Sequence, residues 1–419
     1  MVKLIRTGLA LGHVIECFDN TLYGFFSLIL APVFFPATDE ATTVLASFGA
    51  FAAGFITKPL GALLFGIWGD ATNRNSPLIA SIALIGIPTF VIGLLPSYDT
   101  IGILAPILLI TCRLFQGIFF GGEFAGAHVY IYETAQQKDL GKNTGFFIAS
   151  GVMGAIMATF TGFITTLQML PTWSWRIPFI AGGILALLSF HLRRKMDHLP
   201  AHPHHHMPYI ASLSLLFSKY KKTIMFAFLL SGLTTIPLNL TTVYANQIFH
   251  QLGLTPAQSM ALDGLGMTIN ALFLIFSGQL SDKIGFVKTI EWGIYANILL
   301  AFPAFWFLEN SSGNSVNIFA FIFLLMAAGT IVNGCAFPYM ASLFPPSCRY
   351  SGLAISYTTG IATLSGTVPL MATLISNYCQ SVHGVAWYLI LISMLTLTAH
   401  RFLILNSTRL QPHFSKASI

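Results

Sequence analysis

Charge is what this chain has least of. Asp, Glu, Lys and Arg together make up 8% of its 419 residues, where an ordinary soluble domain carries about a quarter. With 55% hydrophobic residues, 37 Phe and a mean hydropathy of +0.75, the composition excludes a soluble core and points to a membrane protein. Cysteine is also scarce. Cys17, Cys112, Cys335, Cys348 and Cys379 stand at unrelated spacings, which gives no sign of a disulfide framework or a metal site. No nucleophile and base, and no paired metal ligands, stand out within the apolar stretches, so an intramembrane enzyme is disfavoured. The first apolar stretch holds Glu16 and Asp19 and lacks a small-residue cleavage site; it reads as a retained helix, not a secretory signal.

Apolar stretches of about 20 residues or more, the length a bilayer-crossing helix requires, fall at 8–35, 44–68, 76–96, 101–131, 145–170 and 175–192 in the first half. The second half supplies 223–250, 256–280, 288–308, 315–340, 350–376 and 384–405. The expected fold is therefore an all-α polytopic membrane protein of twelve transmembrane helices. Residues 1–192 and 223–405 form two six-helix bundles, 193–222 a cytoplasmic linker, and 406–419 a cytoplasmic tail. Basic residues in short loops favour the cytoplasm. With both termini inside, 17 of the 20 Lys and Arg lie on that side, while Asp39, Glu40, Asp99 and Glu309 lie opposite, with Arg176 at one rim. The net charge of +6 thus reflects topology and is no sign of nucleic acid. In the linker, His202 to His206 form a His-rich tract; Pro203 and the lack of partner ligands favour a solvated linker over a metal site.

A short pattern occurs twice. Gly66-Ile67-Trp68-Gly69-Asp70 with Arg74 recurs as Gly278-Gln279-Leu280-Ser281-Asp282 with Lys283, Gly285 and Lys288, the aspartates 212 residues apart. Two copies of one membrane unit placed end to end is a secondary-transporter architecture. Each aspartate closes one helix just before the positive N-terminal end of the next, so carboxylate, helix dipole and loop cations can form a cytoplasmic latch. Helix capping explains either occurrence alone but not the recurrence.

Charges inside the spans are costly, about 2.5–3.5 kcal/mol each on insertion scales, and so face a cavity or a partner. Glu16, Asp19 and Tyr23 fall on one stripe of the first helix. Lys58 lies at a depth similar to Glu16, and Arg113 and Glu123 stand in the fourth span. Burial favours a neutral carboxyl and a nearby cation favours the charged one, so a balanced group can exchange a proton as a cavity alternates. The same residues also fit permanent ion pairs that fix packing. In the second half Asn239, Thr241, Tyr244, Asn246, Asn270 and Asn333 can bond a solute or, equally, neighbouring helices.

These residues resemble the major facilitator superfamily, whose loop signature runs Gly-x-x-x-Asp-Arg/Lys-x-Gly-x-Arg/Lys. More narrowly the chain is similar to its metabolite:proton symporters, which include proline/betaine, α-ketoglutarate, citrate and shikimate permeases. The matching stretches are Glu16 to Asp19 with Tyr23-Gly24, Lys58 to Gly61, Arg113 to Gly117, Gly121 to Glu123, Trp175 to Phe179, Leu192 to Lys195, and Phe344-Pro345 with Arg349 to Gly352. Three departures stand out. Lys58 replaces the usual arginine, the first loop loses a glycine and a basic residue, which predicts a weaker first latch, and no coiled-coil extension follows Leu405.

The resemblance implies proton-coupled uptake of a small carboxylate-bearing metabolite across a bacterial inner membrane. Glu16, Asp19, Arg113 and Glu123 would couple the proton. Tyr23, Lys58, Arg176, Asn239, Tyr244 and Asn333 are candidates for substrate. Gly66, Asp70, Arg74, Gly278, Asp282, Lys283, Lys288 and Arg349 would form the gating loops. A monomer without cofactor is expected, with solute, proton and lipid as its partners. Proton-coupled export and a transport-inactive receptor are the alternatives; the absence of proline between Gly145 and Gly162 and of a sizeable soluble domain counts against each in turn.

Overall fold

In the computed structural model the chain is built of helices. The structure describes residues 2–36, 49–50, 53–72, 74–165, 171–194 and 209–407, and no strand occurs among them. Asp39, Glu40, the tract His202 to His206 and the tail from residue 408 lie outside the described residues. The spans are α1 (Val2–Phe34), α2 (Lys58–Ala71), α3 (Asn75–Leu94), α4 (Leu104–Thr134), α5 (Leu140–Thr165) and α6 (Arg176–Arg193). Then come α7 (Lys221–Asn239, a π turn Leu240–Tyr244, Ala245–Gln251), α8 (Pro256–Ile284), α9 (Phe286–Glu309) and α10 (Ser315–Leu343). The last two are α11 (Arg349–Gly360, a π turn Ile361–Ser365, Val368–Cys379) and α12 (Gly384–Ser407). Among the described residues nine helices are long and apolar enough to cross a bilayer; the remaining spans are α1, α2 and α6. The expected twelve-helix, all-α class is the one found. One boundary differs in kind: the repeated pattern expected in loops forms the last turns of α2 and α8.

Two compact units divide the chain. The first comprises 1–130, 150–212 and 346–354, the second 131–149, 213–345 and 355–419. Each therefore includes a short segment from the other half of the sequence, at the start of α11 and the start of α5.

In the first unit, α1 presents Phe18, Leu22, Phe26, Leu30 and Phe34, spaced i, i+4, as one buried stripe, which is the 3.6-residue period at work. Phe26 meets Phe179 of α6 edge-on at 5.6 Å and Phe34 meets Trp175 at 5.8 Å. Lipid is as apolar as Leu, so helices in a bilayer gain from close backbone approach instead. A Cβ at Gly61 of α2 would land on the backbone of Ile118 in α4, and Thr57 Oγ1 donates to the Leu114 carbonyl at 2.8 Å across the same contact.

In the second unit α10 packs on α7, α8 and α9 and is buried along most of its length. Asn297 of α9 ties to it, its Nδ2 reaching the Ala328 carbonyl at 3.1 Å. The π turns in α7 and α11 are joined by Asn239, whose Nδ2 donates to the Ser365 carbonyl at 2.9 Å and to its hydroxyl at 2.8 Å. Pro237 explains the first turn, since it removes a backbone N–H from the α ladder. Replacing Asn239 by Leu should leave a buried carbonyl unmet and cost about 1–3 kcal/mol, seen as earlier thermal unfolding in detergent; unchanged unfolding would show that Ser365 finds another donor.

Candidate functional site

The polar residues of the first unit form one connected network. Asp19 Oδ1 accepts from Thr89 Oγ1 at 2.6 Å, and its Oδ2 from Gln116 Nε2 at 3.0 Å. Gln116 also donates to Thr89 at 2.8 Å and accepts from Arg113 at 2.8 Å. The Arg113 guanidinium lies over the Tyr23 ring, 4.1 Å from its centre. Three helices thus hold Asp19, Tyr23, Thr89, Arg113 and Gln116 together, all of them buried. Spacing explains the local part: Arg113 and Gln116 are i, i+3 on α4, and Asp19 and Tyr23 are i, i+4 on α1. Burial makes each of these bonds stronger and each omission costlier.

Glu16 and Lys58, which similar depth suggested could pair, find other partners. Glu16 Oε2 lies 3.1 Å from His13 Nδ1 on its own helix. Lys58 Nζ donates to Asn20 Oδ1 at 3.3 Å and sits over the Phe55 ring at 3.9 Å, so its charge meets an amide and an aromatic face, with no carboxylate in ion-pair contact among the described residues. Glu123 binds Arg193 at 2.5 Å, with Ser81 as a second donor. Arg193, read from sequence as the start of the cytoplasmic linker, ends α6 with its side chain fully buried. Arg176 is engaged on the carbonyls at the end of α3, reaching Gly93 at 3.0 Å and Leu95 at 2.6 Å. It acts there as a helix cap.

The soft polar groups of the second unit mostly bond their neighbours. Asn239 holds Ser365, Thr241 donates to the carbonyls of Pro237 and Leu238, and Tyr244 and Asn333 are buried. Asn270 lines a small cavity with Thr234, Pro237, Leu238, Met326 and Thr330.

The repeated aspartates cap helices, but not the ones that follow them in sequence. Asp70 accepts from the backbone N–H of Tyr350 at 3.0 Å and of Ser351 at 2.9 Å, from the Ser351 hydroxyl, and from Arg74 at 2.6 Å. Asp282 accepts from the N–H of Gly141 at 2.6 Å and of Lys142 at 2.8 Å. The first pair of donors opens α11 and the second opens α5, in both cases just after a 3₁₀ turn, Pro346–Cys348 or Gln137–Asp139. Gly66 and Gly278 stand one turn before the aspartates, where a Cβ would strike Ser351 and Gly141. Helix N-termini attract anions, so both sites follow one design. The first latch, expected to be the weaker, has the more bonds, because Arg74 and the Ser351 hydroxyl add to the backbone pair. No described hydrogen bond or ion pair engages Lys283 or Lys288. Arg349 begins α11 beside the Asp70 donors.

A family model described as Major Facilitator Superfamily matches residues 9–369. The chain belongs to the Major Facilitator Superfamily. Within it the chain belongs with the metabolite:proton symporters: it is 30% identical to the proline/betaine transporter of Escherichia coli K12 over 93% of its own length and 81% of that protein's. It is 29% identical to the citrate-proton symporter of Klebsiella pneumoniae, covering 88% and 84%. A solved structure of the proton:xylose symporter XylE shares the fold at TM-score 0.77 and 18% identity, over 96% of this chain and 95% of that one. The protein is accordingly a multi-pass membrane transporter of this superfamily and not an enzyme.

Sequence reasoning missed several members of these clusters. His13 and Gln116 were visible as i, i+3 partners of Glu16 and Arg113. Asp263 in α8 bonds Asn246 at 2.7 Å, and His400 in α12, fully buried, meets Tyr339 at 2.9 Å; a search for acids and histidines inside the spans, beside the bases, finds both. The Asp282 cap is testable on its own. Asp282→Asn weakens two charge-assisted bonds, so amide hydrogen exchange at Gly141 and Lys142 should quicken by about tenfold, equivalent to roughly 1.4 kcal/mol. Unchanged exchange would mean that Asp282 caps nothing of consequence.

Proposed function

We propose that this transporter takes up a small carboxylate-bearing metabolite together with protons, by alternating access across a bacterial cytoplasmic membrane, with both termini inside. The solute is a proline- or betaine-like zwitterion or a dicarboxylate such as α-ketoglutarate. The observation that carries the reading is the Asp19, Gln116, Arg113 and Tyr23 network. Ionised, Asp19 takes two hydrogen bonds and lies one amide away from a guanidinium. Protonated, it gains an O–H donor and no longer balances Arg113, so Gln116, bonded to both, passes the change from one to the other. A proton on Asp19 thereby alters how Arg113 is held, and a solute carboxylate is a natural partner for a guanidinium so released.

Lys58 supports the substrate class. It is an ammonium bonded to an amide oxygen and set over an aromatic ring, which leaves its charge available to a carboxylate. The relatives, a proline/betaine transporter and a citrate-proton symporter, point to the same chemistry. Glu123 with Arg193 and Arg176 with its carbonyls have the geometry of fixed structural contacts, so the reading gives them positioning roles. The aspartate latches would open and reform during the cycle, as alternating access requires.

Uptake into membrane vesicles under an inward proton gradient tests this with labelled proline, betaine, α-ketoglutarate, citrate and shikimate. One of the five should accumulate, and an uncoupler should abolish it. Asp19→Asn should remove accumulation while leaving solute exchange, and Lys58→Gln should raise the half-saturation concentration by about tenfold or more, as loss of a charge-assisted bond implies. Accumulation that survives both the uncoupler and Asp19→Asn would sink proton coupling. Unchanged half-saturation in Lys58→Gln would remove that residue from the substrate site.

A further inference from the structure

Asn246 follows the π turn of α7, and Asp263 lies two turns into α8. Asn246 Nδ2 donates to the Thr242 carbonyl at 2.5 Å and to Asp263 Oδ2 at 2.7 Å. Two acceptors for one amide nitrogen fix how the group is turned, because the reverse orientation would aim its oxygen at a carbonyl and a carboxylate. Two atoms are then left over. Asn246 Oδ1 and Asp263 Oδ1 are both buried, and neither has a hydrogen-bond partner among the described residues.

Asp263 forms no ion pair among the described residues. The elements packed against this part of α8 bring Tyr244 on the π turn, His250 on α7 and Glu309 at the end of α9. None has a described bond to Asp263, and the side chain of His250 lies outside the described set. Lys288 and Glu291 sit at the opposite end of α9. An ionised Asp263 would therefore place an uncompensated charge within a membrane span and leave two buried acceptors empty, two faults that burial makes expensive.

One proton removes both. Bound to Oδ1 it neutralises the carboxylate and turns that oxygen into a donor, and the Asn246 amide, already bonded to the other carboxylate oxygen, carries the unpartnered acceptor that such a donor would take. Water would satisfy the acceptors but not the charge. A metal ion would find too few ligands, since the described residues contain no group of three His, Cys, Asp or Glu able to hold one.

We propose that Asp263 and Asn246 form a second proton-binding site, within the second compact unit, with the proton on Asp263 in this structure. The site deepens the proton-coupled reading, on which its transport role rests: one proton at Asp19 and another at Asp263 accompany each solute.

Infrared difference spectroscopy of the purified full-length protein in nanodiscs, with hydrogen–deuterium exchange, reads the proton directly. At neutral pH the wild type should show a protonated-carboxyl C=O band that is missing in D263N and shifted in N246A, where the carboxyl loses its amide partner. Identical carboxyl regions in wild type and D263N overturn the proposal. Should D263N not fold, N246A decides alone, and an unshifted band overturns it.

Transport gives a second reading, using labelled proline, or labelled citrate if proline is not accumulated. In proteoliposomes with the membrane potential clamped at zero and an inward gradient of about one pH unit, each coupled proton multiplies the accumulation ratio about tenfold. D263N should lower that ratio about tenfold while exchange continues. Equal accumulation in wild type and D263N overturns the second site alone. A wild type with no uncoupler-sensitive accumulation overturns the proton-coupled reading, and the infrared result still decides whether Asp263 holds a proton.

Discussion

A bilayer offers no water to a buried charge, and that constraint organises the interior of this protein. A carboxyl or ammonium group within the spans must find a counter-charge, a set of dipoles or a proton, and the first two solutions are seen among the described residues. Glu123 takes the first, with Arg193 and the Ser81 hydroxyl. Asp19 takes the second, ringed by Thr89 and Gln116 with Arg113 one step away. Lys58 relies on an amide oxygen and an aromatic face. A fixed pair such as Glu123 with Arg193 does not need to change during a transport cycle. A carboxylate held by neutral dipoles is the kind of group whose protonation can change without breaking the fold.

The same scarcity of water governs the backbone. Pro237 and the π turns free carbonyls from the helical ladder, and Asn239 is placed to meet Ser365 where the α11 turn ends. Such irregular turns are tolerated at membrane depth only where protein groups satisfy them. Asn239 had the look of a solute contact in the sequence because a lone amide in an apolar span is equally suited to both tasks. The structure shows which carbonyl it serves.

Much of the fold was legible in the sequence for a plain reason. Spans long enough to cross a bilayer are written as contiguous runs, and the repeated Gly-x-x-x-Asp pattern marks the same point in both halves. Asp19, Tyr23 and Arg113 were also legible as charges and a phenol out of place in apolar helices. What could not be read was pairing between distant segments. Nothing in the order of residues says that Glu123 meets Arg193 and not Lys58, or that Arg176 turns back on the end of α3. Gln116 and Thr89 escaped because uncharged polar residues are common in helices, and their role exists only where three helices meet.

The latches carry a consequence of another kind. Asp70 and Asp282 each grip two successive main-chain N–H groups, Tyr350 with Ser351 and Gly141 with Lys142. The partner side of the contact is thus common to every amino acid but one. Substitution at any of the four positions can crowd the helix start or spare it, and loss of the Ser351 hydroxyl removes one side-chain bond, yet only proline deletes a main-chain donor. The two halves can therefore differ in these side chains while keeping one capping geometry, and Tyr-Ser and Gly-Lys, with nothing in common as letters, each open a helix in this way.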